Sequence, residues 1–220
     1  MRPGPKPKGK VICVWSPEFA YALGLIATDG CLSGDGRHLE LTSKDIQQLH
    51  NFMRCLGIQN KIGKKISGYS GKPSLRVQFG DVLFYQFLLS IGFSPAKSKI
   101  LGKIDIPQKY FFDFLRGAFD GDGTFYSYYD PRWKSSFMFY TVFISASIAH
   151  IEWMRSTLFT LLEVKGHVTH AHMKSIYQLK YAKKESLKIL KRMYYKNSVV
   201  CLSRKRLKVE KALSIIGLQL

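Results

Sequence analysis

The chain has 220 residues, 46% of them apolar and 14% aromatic, which is too hydrophobic for a disordered segment and long enough for one substantial core or two small ones. Its 34 Lys and Arg against 15 Asp and Glu give a formal charge of +19, an excess that strains a compact fold by self-repulsion and points to a polyanionic partner, nucleic acid before a membrane surface. No apolar run reaches the roughly 18–20 residues that span a bilayer, and the N-terminus carries no secretory leader, so a cytoplasmic (nucleoid) or organellar protein is expected, not a secreted one.

In chain order, residues 1–14 read as a basic arm, with Arg2, Lys6, Lys8 and Lys10 among prolines and glycines. Ser16-Pro17-Glu18 supplies an N-cap, a proline at the first helical position and a first-turn acid. The helix that follows, to about Thr28, is apolar or small on every side and so must be buried all round. Two strands, about 30–34 and 37–42, turn at Ser33-Gly34-Asp35-Gly36. Ile46, Leu49, Phe52, Met53 and Leu56 mark a helix stopped by Gly57. A hairpin at about 60–67 and 74–79 and a helix at about 81–91 end at Gly92. A basic segment, 93–106, reads as a linker.

From Pro107 the order repeats: an apolar helical run to Phe119, strands at about 124–129 and 136–146, a helix at 148–162, a hairpin at about 164–171 and 174–181, and a helix at 183–195. The first of these hairpins carries about ten more residues than its counterpart, around Asp130-Pro131-Arg132-Trp133-Lys134. An amphipathic stretch at about 203–216 has no counterpart in the first half and is expected to pack on the outside. The expected division is therefore arm 1–14, first repeat 15–92, linker 93–106, second repeat 107–196 and helical extension 197–220. Cys13, Cys31, Cys55 and Cys201 form no Cys-x-x-Cys pair and read as reduced structural residues, and the spacing of His167, His170 and His172 is too weak a signal for a metal site.

Two segments carry the duplication most plainly. Ala22-Leu-Gly-Leu-Ile-Ala-Thr-Asp-Gly30 and Leu115-Arg-Gly-Ala-Phe-Asp-Gly-Asp-Gly123 share a Gly and an Asp at one offset, since 117 − 24 and 122 − 29 both equal 93. Gly24 with Thr28, and Gly117 with Gly121, lie one helical turn apart, so two such helices can approach backbone to backbone. Packed about a pseudo-twofold axis they bring Asp29 and Asp122 together at helix C-termini, where the final carbonyls already carry negative charge. Divalent cations relieve that conflict, and oxygen ligands favour Mg²⁺ or Ca²⁺.

These two segments resemble the paired motifs of the LAGLIDADG homing endonucleases, and the order of elements over about residues 15–195 is similar to that family's αββαββα repeat. The resemblance implies an α/β (α+β) fold of two pseudo-symmetric repeats. Antiparallel sheets form a saddle in the DNA major groove, and the motif helices pack at the centre. It implies a monomeric, intron-encoded enzyme that cuts both strands of a target of about 20 base pairs. Asp29 and Asp122 would hold Mg²⁺, with Ca²⁺ or Mn²⁺ as substitutes, assisted by the carbonyls of Thr28 and Gly121. Where many members have a Gln at the end of the second strand, this chain has Ser43 and approximately Ala146. Where the family often has a Lys near the scissile phosphate, it has Gln78 and Lys180, which become the supporting catalytic residues.

Strand residues with polar or basic heads are the expected DNA contacts: Arg37, Glu40, Lys61, Lys65, Arg76, Gln78, Tyr126, Tyr128, Lys165, His167, Thr169, Tyr177 and Lys180, with Arg132 and Lys134 from the long hairpin. The alternative is an intron-splicing maturase, with intron RNA as partner, or a DNA-binding protein of the same fold that does not cut. A carboxylate-pair hydrolase of neutral sugars is disfavoured, because it would gain nothing from a charge of +19.

Overall fold

The computed structural model describes residues 9–66, 71, 73–133, 135–171 and 175–220. Arg2, Lys6 and Lys8 of the basic arm, Lys134, His172 and most of the turn between 66 and 73 lie outside the described residues.

The Phe19 N–H donates to the Ser16 hydroxyl at 3.0 Å, and Pro17 opens helix α1 (Pro17–Asp29) as the sequence predicts. Every residue from Phe19 to Ile26 is buried, because α1 has partners on all sides. A short hairpin follows, β1 (Gly30–Leu32) and β2 (His38–Ser43), then helix α2 (Ile46–Leu56), capped by Asp45 and stopped by Gly57 at φ 65°. Strands β3 (Gly63–Ile66) and β4 (Pro73–Gly80) and helix α3 (Val82–Ser90) complete the first unit. The second unit runs α4 (Phe111–Gly121), β5 (Thr124–Tyr129), β6 (Phe137–Ser145), α5 (Ile148–Leu162), β7 (His167–Ala171), β8 (Ile176–Ala182) and α6 (Lys183–Met193), and α7 (Ser203–Ile215) follows it.

Each unit folds into a four-stranded antiparallel sheet with the same order, β1-β2-β4-β3 and β5-β6-β8-β7. Alternation gives each sheet one face against helices and one toward solvent. In the first sheet Leu39, Leu41, Val77 and Phe79 point into one core; in the second, Phe125, Phe139, Phe143, Leu179 and Tyr181 point into another. Helix α4 joins the two, with Phe114 and Ala118 in the first core and Leu115 and Phe119 in the second.

Two segments outside the repeats are packed into the cores. Residues 93–106 are packed rather than loose: Phe93, Leu101 and Ile104 are buried in the first core, and a 3-10 turn spans Lys97–Lys99. The C-terminal extension is structural too, since Val209, Ala212 and Leu213 of α7 belong to the second core. The fully buried Arg116 guanidinium donates to the carbonyls of Met193 (2.7 Å) and Val200 (2.8 Å) and pairs with Asp113, which ties the strap between α6 and α7 to α4. Among the described residues no helix is long and apolar enough to cross a membrane.

Candidate active site

The site exists because two helices touch through glycine. A Cβ built on Gly24 would stand 2.1 Å from the Phe114 carbonyl oxygen, and one on Gly117 would stand 2.0 Å from that of Tyr21. One turn further on, a Cβ on Gly121 would meet Thr28 Oγ1 at 2.0 Å and the Asp29 carboxylate at 2.8 Å. Backbone contact at Gly24 and Gly117 gives way at Gly121 to contact with the side chains that end α1, so the last residues of both helices lie side by side.

Asp29 closes α1 and Asp122 caps α4. Burial and the nearby charge of Asp122 push the Asp29 carboxyl up to about 6, against a hydrogen bond from Gln48 Nε2 at 2.6 Å that favours the ionised form. Asp122, the more exposed of the two, is raised as well by desolvation. The other acid of the second motif plays another part. Asp120 is fully buried and accepts from the Tyr21 hydroxyl (2.8 Å) and the Leu202 N–H (2.7 Å), so it locks α7's approach onto the helix pair.

Two cavities flank the helix ends in a crossed arrangement. One, of about 790 Å³, is lined by Asp29 together with Gly121 of the opposite helix, Ser43, Gln48 and Arg204. The other, of about 230 Å³, is lined by Asp122 together with Thr28 of the opposite helix, Ser145, His150 and Lys97. Thr42 and Ser74 extend the first cavity onto the solvent face of the first sheet, and Ile144 and Ile176 extend the second onto that of the other. Among the described residues no three His, Cys, Asp or Glu side chains converge. A cation in either cavity would therefore rest on one carboxylate, a main-chain carbonyl and water. That set of hard oxygens fits Mg²⁺ or Ca²⁺.

The positive charge that offsets the helix ends comes from two lysines that sequence reasoning missed. Lys97 Nζ, buried, donates to the Gly30 carbonyl at 2.6 Å. Lys205 Nζ, from α7, donates to the carbonyls of Phe119 (2.6 Å), Gly121 (3.0 Å) and Gly123 (2.6 Å). Gly30 and Gly123 are the equivalent glycines of the two motifs (123 − 30 = 93), so the linker and α7 deliver the same group to the same place. The stretch expected to pack on the outside thus also supplies a contact to the helix ends. Burial lowers both ammonium groups, Lys205 to about 8, while the charges of Asp29 and Asp122 hold them up. Among the described residues neither acid has a Lys or Arg nitrogen within ion-pair distance, so the ammoniums act through space and leave the carboxylate oxygens open.

Register places the remaining predicted residues. Ser43 is equivalent to Ser145 rather than Ala146: each hydroxyl accepts the N–H of the next helix's capping residue, Asp45 at 3.0 Å and Ser147 at 3.1 Å. Gln48 rather than a strand-end Gln reaches Asp29; its equivalent His150 has Nδ1 2.8 Å from the Gly102 carbonyl, which can only accept, so Nδ1 carries the proton. Glu40 opposes Gln78, and Thr42 opposes Arg76, on the solvent face of the first sheet. Lys65 shares that face and, with Arg76, pairs with Glu40. Lys180 opposes His167, and Gln178 opposes Thr169, on the solvent face of the second, which Tyr126 and Tyr128 share. Tyr177 does not belong with them: it opposes Ser145 and packs against the second core, which corrects the expectation that it contacts DNA. Arg37 and Lys61 stand just before β2 and β3, Lys165 is exposed just before β7, and Arg132 is clamped on Asp130 in the long hairpin.

The sequence matches no protein-family model and no curated relative. Solved structures do match. Full-length DUF199/WhiA from Thermatoga maritima superposes with a TM-score of 0.59 at 12% identity over 94% of this chain, which spans 63% of the WhiA chain. The homing endonuclease I-WcaI bound to its DNA recognition sequence gives 0.57 at 13%, covering 89% of this chain and 88% of that one. The fold is the LAGLIDADG fold. A third likeness, to mesophilic variants of the homing endonuclease I-DmoI, gives a TM-score of 0.54 at 15% identity over 82% of this chain and 92% of that one; crystal structures also exist of a variant of I-DmoI with its target DNA in the presence of Mg and of I-DmoI with DNA and Ca. At these identities the likeness extends to the fold alone, and this chain's chemistry has to be argued from its own residues.

Proposed function

We propose that this LAGLIDADG-fold protein is a site-specific DNA endonuclease of the homing type. It makes a double-strand break, dependent on a divalent metal, in a target of about two helical turns, and acts as a monomer because one chain supplies both halves. The observation that carries the reading is the crossed pair of oxygen-lined cavities, each joining one motif acid to the other motif's helix end and each opening onto an exposed sheet face of a chain with charge +19.

The roles follow from position. Asp29 and the Gly121 carbonyl would hold a cation on one side, and Asp122 and the Thr28 carbonyl would hold one on the other. When bound, Mg²⁺ supplies Lewis acidity at a phosphoryl oxygen and a water of lowered pKa. Gln48 fixes the orientation of the Asp29 carboxylate. Lys97 and Lys205 hold the two helix ends positive enough for the acids to stay together and for a phosphate to approach. Facing strands present their phosphates across a minor groove about 6 Å wide, a span that two adjacent helix ends suit. Lys180 sits on the solvent face of the second sheet as support for the bound backbone, and Gln78 on that of the first, where it meets the duplex.

One observation favours the second reading, a nucleic-acid-binding protein of the same fold that does not cut, whether on DNA or on intron RNA. The Lys205 ammonium already occupies one lone pair of the Gly121 carbonyl, which leaves a single one for a metal. The two readings separate when the protein is incubated with Mg²⁺ and a randomised duplex library and the DNA ends are sequenced. Discrete paired ends, absent in EDTA, are expected; retention of duplex without new ends contradicts cutting and leaves the binding reading in place.

A further inference from the structure

The two solvent-facing sheet surfaces differ in chemistry although their folds match. On the first sheet Glu40 sits between Arg76 Nη1 at 3.0 Å, the Thr42 hydroxyl at 3.1 Å and the Lys65 ammonium, with Gln78 exposed directly across the strand pair. That network fixes the Arg76 fork in one orientation. On the second sheet Tyr126, Tyr128 and Tyr140 form one stack, with ring centroids 5.2 Å apart for Tyr126–Tyr140 and 6.3 Å for Tyr128–Tyr140 and planes within 17° of parallel. Tyr126 opposes Tyr140 across β5 and β6 and Ile144 and Ile176 continue the same face, while its polar residues, Lys180, Gln178, His167 and Thr169, gather on the β7–β8 side. Rings packed on one another have faces engaged with each other, which suits apolar contact in a duplex groove and not the stacking of unpaired bases.

We propose, on the basis of the DNA reading above, that the recognised duplex is chemically lopsided. The half-site against β1–β4 is read through hydrogen bonds, Arg76 to guanine and Gln78 to adenine. The half-site against β5–β8 is thymine-rich and is read through its 5-methyl groups by the tyrosine stack and its apolar neighbours. Guanine O6 and N7 match an Arg fork, adenine N6 and N7 match a Gln amide, and the thymine methyl is the apolar feature of the major groove.

Deoxyuridine, which lacks only that methyl, gives the test with the protein unaltered. Duplexes retained from a randomised library in EDTA are sequenced, and the best binder is remade with deoxyuridine for thymidine in one half at a time. The expected result is a loss of about fourfold in affinity for each contacted methyl in one half, from the worth of one buried carbon, and little change in the other. Tyr128→Ser, at a side chain 41% exposed and so outside the core, shrinks the thymidine-to-deoxyuridine difference, whereas Arg76→Ala relaxes a guanine preference in the opposite half. Equal effects of deoxyuridine in the two halves, or none in either, overturn this inference while leaving DNA binding standing. Retention of no duplex at all overturns both.

Discussion

Gly117→Ala is expected to lower the unfolding free energy by about 3 kcal/mol or more, near the upper end for overpacking a tight interior. The added Cβ would lie 2.0 Å from the Tyr21 carbonyl oxygen and 2.9 Å from its carbon, both backbone atoms of a helix buried on every side, so neither can swing away. Relief requires the helices to part by about an ångström, which loosens contacts in both cores, since α4 contributes to each. For a chain of this size that corresponds to a fall of about 6–12 °C in Tm. Gly34, with nothing within 4 Å of a built Cβ and a φ outside the left-handed region, is the control and should tolerate Ala. A Gly117→Ala protein that melts with the wild type would mean that the helices are not packed backbone to backbone.

Asp29→Asn is expected to stabilise the same protein, by about 3 kcal/mol at pH 8 without divalent ions. The sign follows from the direction of the shift. Burial and Asp122 raise the Asp29 carboxyl from an ordinary 3.8 to about 6, so the folded chain holds that proton more tightly than the unfolded chain does. Stability is therefore lost as pH rises from about 4 through about 6, and the ionised group is a standing cost above that window. Asparagine removes the charge and keeps an oxygen for the Gln48 amide, so the gain should be full above pH 6 and gone near pH 4. Added Mg²⁺ or Ca²⁺ should raise the Tm of the wild type and do so less for Asp29→Asn, because a ligand that binds only the folded state stabilises it. Chemical denaturation at several pH values checks the first part and calorimetry with and without the ion the second; a variant less stable than the wild type at pH 8 would contradict the account.

The parts of this molecule that sequence made visible are those set by local rules. Ser16-Pro17 marks a helix start wherever it leads an apolar run, and Gly57 stops α2 because its φ of 65° suits glycine. The matched Gly and Asp of the two motifs pointed to the helix crossing, since nothing but close packing asks for small residues at that spacing twice. Lys97, Lys205 and Gln48 were not legible, because each reaches the helix ends from a different element. Lys97 lies 67 residues from the Gly30 carbonyl it caps, and Lys205 lies 82 from that of Gly123. No periodicity connects positions that far apart, and a lysine in a basic chain does not stand out. Tyr177 is a different case: it stands three residues from Lys180, an odd step along one strand, so the two cannot share a face, and alternation held the answer. His150 was passed over because it reads as an ordinary first-turn residue of α5, and only the fold shows that it stands where Gln48 stands in the other half.

The two motif acids serve, in the proposed reaction, as the cutting centre rather than as struts. The most direct measurement puts the wild type, Asp29→Asn and Asp122→Asn on one bound duplex with Mg²⁺, following strand scission and affinity in the same samples. The account predicts that each substitution abolishes double-strand cutting while affinity is little changed and the fold is retained; cutting that persists in both variants would contradict it.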